Sequence, residues 1–85
     1  MALHLYKYDS DLPAECFAVD IGRETLYLTA NRKSDGVIDV SINHGYEPGS
    51  RAYKRECQLF AMREKGIRQA AATAIAELEA AKAVQ

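Results

Sequence analysis

Between Asn43 and Lys54 the hydrophobic period of the chain changes from two residues to about 3.6, and that change fixes the fold class. Ahead of it, four short runs alternate. In "LHLYKY" (3–8) Leu3 and Leu5 share one face, with His4, Tyr6 and Tyr8 on the other. In "CFAVDI" (16–21) Phe17, Val19 and Ile21 oppose Cys16, Ala18 and Asp20. In "TLYLTA" (25–30) Leu26 and Leu28 oppose Thr25, Tyr27 and Thr29, and in "VIDVSIN" (37–43) Ile38, Val40 and Ile42 oppose Asp39, Ser41 and Asn43. Turn-forming clusters at 9–13, 22–24 and 31–36 separate the runs. Connections this short favour an antiparallel meander with one apolar and one polar face.

Past the change, Pro48 and Gly49 stop the last strand and Ser50 is placed to cap a helix. On a helical wheel Tyr53, Cys57, Phe60, Ala61, Ile67, Ala71, Ala74, Ile75 and Leu78 form one apolar stripe. The expected fold is therefore α+β: a four-stranded antiparallel β-meander, then one long, kinked C-terminal α-helix packed on one sheet face. Residues 1–85 make a single domain, with a β-sheet half at 1–46 and a helical half at 50–83. Spanning 51–83, a straight helix would run roughly 50 Å. Gly66 is the expected bend, since Glu64 would otherwise lie inside the stripe. The predicted core sets Leu3, Leu5, Phe17, Val19, Ile21, Leu26, Leu28, Ile38, Val40 and Ile42 against Tyr53, Phe60, Ile67, Ile75 and Leu78.

Composition excludes several classes. With 48% hydrophobic and 27% charged residues, disorder is not expected. No run approaches the roughly 20 apolar residues that span a bilayer. The opening "MALHLYKYDSD" has neither a basic start nor a long apolar run, so no signal peptide and a cytoplasmic setting are expected. There Cys16 and Cys57 are expected as free thiols. Neither cysteine is spaced with His4 or His44 as a zinc site requires, and no metal or cofactor is expected.

Charge is distributed unevenly. Residues 1–50 hold four cations and eight carboxylates, a net of −4, and residues 51–85 hold seven cations and four carboxylates, a net of +3. In "GSRAYKREC" the cations Arg51, Lys54 and Arg55 sit where a helix begins, although its N-terminus carries positive charge. With Gln58, Lys65 and Gln69 they form a ridge opposite the apolar stripe, and Met62 lies among them. Helix amides, a capping hydroxyl and nearby cations together suit a phosphate or an acidic surface. The stretch "GSRAYKRECQLFA" resembles the start of the last helix of double-stranded-RNA-binding domains, which in that family follows three strands. The resemblance covers about fifteen residues, and the chain lacks that family's first helix.

Tyr6, Tyr8 and Tyr27 are expected together on the outer sheet face, where Asp20 and Asp39 would repel phosphate. Tyrosines among mixed polar neighbours suit a protein-binding patch. Leu59 and Met62 read as exposed apolar positions suited to a helix–helix contact, such as a homodimer through the C-terminal helix. His44 and Cys57 are placed where they could approach, but the chain carries no nucleophile or phosphate-loop motif, and no enzyme is expected. The function expected is a non-catalytic protein-binding module that occludes a site on a larger protein or nucleoprotein complex. In general build it is similar to small phage- or mobile-element-encoded inhibitors of host defence, such as anti-CRISPR proteins. The alternative is a nucleic-acid-binding accessory protein that uses the basic helix start. Partner-binding candidates are Tyr6, Tyr8, Tyr27, Arg51, Lys54, Arg55, Met62 and Lys65.

Overall fold

The computed structural model describes residues 2–83. Four strands, β1 (Leu5–Tyr6), β2 (Cys16–Ile21), β3 (Glu24–Arg32) and β4 (Ile38–Ile42), precede one helix, α1 (Arg51–Ala83). They form a single antiparallel sheet in the order β1-β2-β3-β4, the expected meander. Strand ends differ from the alternating runs. The first run pairs over two residues only, Leu5 with Val19 and Tyr6 with Ala18. Beyond them, Lys7 turns its ammonium onto the carbonyls of Pro13 and Cys16, at 3.0 and 2.6 Å, and of Ala14. β3 is longer than expected because Glu24 and Arg32 pair with Ile21 and Ile38.

The helix covers one sheet face. Leu5, Phe17, Val19, Leu26, Leu28, Ala30 and Val40 from the sheet bury against Leu59, Ile67, Ala70, Ala71, Ala74 and Ile75, with Leu3, Ile21, Ile38, Ile42, Phe60 and Leu78 half-buried around them. Alternation fails once. Ala18 is in phase with the outer face, yet it is 0% exposed. Its register neighbours are Tyr6 on β1 and Tyr27 on β2's other side, and their rings shield the small methyl group between them.

The helix start is as expected. Gly49 takes φ 89°, and the Ser50 hydroxyl accepts from the Tyr53 amide at 3.1 Å. The kink is not at Gly66. It falls one turn earlier, at Arg63, whose φ of −123° and ψ of 20° leave the helical region. Gly66 continues the helix beside Leu3, where a Cβ would stand 3.4 Å from Leu3 Cδ1, an ordinary contact distance.

The apolar stripe also needs correction in the first half of α1. Cys57, Ala61 and Glu64 are exposed, whereas Leu59 and Glu56 are buried. Glu56 lies eleven residues before Ile67 and eighteen before Ala74, close to three and five turns of about 3.6 residues, so geometry puts it on the core side. Burying a carboxylate is costly without a partner, and His44 supplies one.

Two ion pairs orient the helix on the sheet. Glu24 and Arg32, at opposite ends of β3, share the helix-facing side with Leu26 and Leu28. Glu24 receives a two-pronged bond from Arg55 (2.9 and 2.6 Å), and Arg32 gives one to Glu79 (2.8 and 2.9 Å). A helix docked the other way round would set Arg55 against Arg32 and Glu79 against Glu24. Exposed pairs contribute little stability, so their use here is in direction.

Candidate binding face

The outer face of the sheet has no element of the described chain over it, and its central row is Tyr6–Ala18–Tyr27. Tyr6 donates its hydroxyl to Asp20 Oδ1 at 2.8 Å, and Thr25 donates to the same oxygen at 2.9 Å. The bond to Asp20 raises the Tyr6 pKa above its ordinary value, because ionisation would lose the donor and set two negative charges together. Tyr6 is thus held in place. Tyr8 meets Tyr27 edge to face, with ring centres 4.9 Å apart and planes at 66°. Both remain open, 43% and 40% exposed. They line a shallow cleft with Asn43, His44 and Gly45. A second cleft passes from Thr25 and Tyr27 under the exposed Tyr46 to Glu24 and Arg55, linking the tyrosine face to the helix start.

The cations of the helix start do not act alike. Arg55 is taken up by Glu24, and the hydrogen bond between them lowers the Glu24 pKa and raises that of Arg55. Arg51, Lys54 and Lys65 have no ion-pair partner among the described residues. Met62 is 69% exposed. Met62 and Lys65 point to solvent from the helix, on the opposite side of the molecule from Tyr8 and Tyr27. The candidates therefore fall into two surfaces: the tyrosines, with Arg55 at their margin, and the outer side of the helix.

Sequence reading missed a polar cluster between these surfaces. His44 does not pair with Cys57, which is exposed on the helix. Its Nδ1 instead lies 2.8 Å from Glu56 Oε1, and its ring stacks on Tyr53 at 3.9 Å and 25°. Glu56 is 7% exposed, and the His44 side chain is partly covered. The cluster ties the 43–49 loop to the helix. The signal for it lay in the wheel position of Glu56 and in the inward phase of His44. Lys7 was also missed. Its ammonium sits 4.2 Å from the centre of the Phe17 ring while bonding loop carbonyls, and desolvation lowers its pKa.

Among the described residues no three metal-ligating side chains come together, and no helix is long and apolar enough to cross a membrane. No family model, curated protein or solved structure matches the chain.

Proposed function

We propose that the protein is a non-catalytic binding module that presents the tyrosine face of its sheet to a larger protein. The observation that carries this reading is the open Tyr8–Tyr27 pair. Two large rings fix each other before any partner arrives, so binding them costs little side-chain entropy. Tyrosine is favoured among the residues that dominate interface energies. Asp20 and Asp39 on the same face disfavour a phosphate backbone. The sharper form of the proposal is occlusion of a site on a larger protein or nucleoprotein complex, in the manner of small phage- or mobile-element-encoded inhibitors of host defence.

A second reading has its own support. Arg51 and Lys54 have no ion-pair partner among the described residues and lie beside the Ser50-capped first turn, an arrangement that suits nucleic-acid phosphate. One experiment separates the two. The tagged chain, the Tyr8→Ala/Tyr27→Ala variant and the Arg51→Glu/Lys54→Glu variant are each used to capture partners, and the captured partner's affinity is then measured. The proposal expects one protein partner whose affinity falls about 30-fold or more with the tyrosine variant, the loss typical of a central anchor. Retained binding by that variant, with salt-sensitive nucleic-acid binding lost in the charge variant, would replace it with the second reading.

A further inference from the structure

The two edges of the sheet are guarded unequally. β1 has two residues, and the chain then turns away with Lys7 drawn back over Phe17. β4 has five residues and carries no Lys, Arg or Pro. Short strands, cations and prolines are the usual guards against strand addition. The ladder shows which groups the β4 edge offers. The Asn43 amide donates to the Tyr27 carbonyl, and the Lys33 amide donates to the Val37 carbonyl, both at 2.8 Å. In an antiparallel ladder, bonded pairs alternate, so residues 37, 39, 41 and 43 address β3. The amides and carbonyls of Ile38, Val40 and Ile42 therefore point away from the sheet. No described backbone or side-chain group bonds them.

We propose that β4 pairs antiparallel with β4 of a second copy of this chain, across a two-fold axis at Val40, joining two sheets into one. The second copy is favoured over a foreign strand because the run is complementary to itself. About this axis Val40 faces the second copy's Val40, and Ile38 faces its Ile42, extending the apolar layer on the helix side. Ile38 and Ile42 are half-buried in the single chain and have area left to bury. On the outer side Asp39 faces the second copy's Ser41, whose hydroxyl donates to the carboxylate, and symmetry repeats the pair. A two-residue slip in one direction would set Asp39 against Asp39, and in the other it would take Ile38 out of the pairing. Register is therefore specified by the sequence. The axis runs perpendicular to the sheet, so both tyrosine faces look the same way.

Sedimentation equilibrium of the full chain over a concentration series tests this. The expected result is a reversible dimer of twice the 9.4 kDa chain. Ser41→Asp sets a carboxylate opposite Asp39 at both ends of the pairing and should weaken the dimer about tenfold. Asp39→Lys/Ser41→Asp sets opposite charges there and should restore it. Both positions are exposed on the outer face, and circular dichroism checks that each variant folds. Hydrogen exchange gives a readout without mutation: the Val40 amide should gain protection as concentration rises. A monomer at every concentration, a dimer indifferent to both variants, or a dimer that leaves the Val40 amide unprotected each overturns the proposal.

Discussion

The two halves of α1 are held to the sheet by different physics. Past the Arg63 kink, Ile67, Ala70, Ala71, Ala74 and Ile75 are all buried, and small side chains let the helix settle close to the strands. Before the kink, Leu59 is buried and Phe60 half-buried against the core, and the other attachments are polar: Arg55 on Glu24, and Glu56 on His44 with Tyr53 stacked beside it. The apolar half is held by area, which tolerates small shifts. The polar half is held by bonds of fixed length and direction, which set where the helix starts and how the 43–49 loop lies. The kink at Arg63 falls between the two.

The largest expected effect lies in the apolar half. Ile67 is fully buried at the centre of the interface. Ile67→Ala should cost about 2–5 kcal/mol, a large fraction of the stability of a domain this size. Urea denaturation measures it. A loss well under 1 kcal/mol would mean that the apolar half is not what holds the helix down.

An intermediate effect belongs to the polar half. Glu56→Ala removes the partner of a partly covered histidine and opens a gap beside Tyr53. The expected cost is about 1–3 kcal/mol. It should be accompanied by faster hydrogen exchange in the 43–49 loop and the first turns of α1, with residues 67–78 little changed. Equal loss of protection along the whole helix would erase the distinction between the halves.

The same contrast explains what could be read from the sequence. The strands were legible because alternation and turn residues are local signals, and Leu26, Leu28 and Val40 are buried as their phase requires. The apolar half was legible because Ile67, Ala71, Ala74 and Ile75 keep helical spacing. In the polar half, identity misled. Cys57 and Ala61 are apolar but exposed, and Glu56 is charged but buried, because its place is decided by a histidine twelve residues away. From the sequence Arg55 is a partner-binding candidate, since Glu24 stands thirty-one residues earlier and reaches it only once the helix lies on the sheet. Gly66 does not mark the bend, because a single glycine is only mildly unfavourable inside a helix, and the break falls at Arg63. For the candidate face, the tyrosines' side of the sheet was legible from phase, but the pairing of Tyr8 with Tyr27 and the shielding of Ala18 follow from strand register.

The smallest expected effect compares the halves through their two ion pairs. Glu24 and Glu79 both have pKa values below the ordinary 4.5, chiefly because Arg55 and Arg32 hydrogen-bond to the charged form. Unfolding releases both carboxylates to the ordinary value. The stabilisation is therefore complete above pH 4.5 and is lost as pH falls through the lower folded values, where protonation breaks the pairs. Glu24→Gln and Glu79→Gln should each flatten the acid side of the melting profile while leaving it almost unchanged at the pH where neither carboxylate is charged. Both pairs are exposed, so both changes should be small and should shrink further in high salt. The halves should still differ. Glu79 supports a segment already held by buried alanines and Ile75, so its loss should leave local exchange near residues 74–79 untouched. Glu24 secures Arg55 in a segment with one buried apolar anchor, so Glu24→Gln should loosen the first turns of α1 at neutral pH even where the melting temperature barely moves. If both variants change local exchange alike, the polar half owes no more to its ion pair than the apolar half does, and its attachment rests on the Glu56–His44 cluster alone.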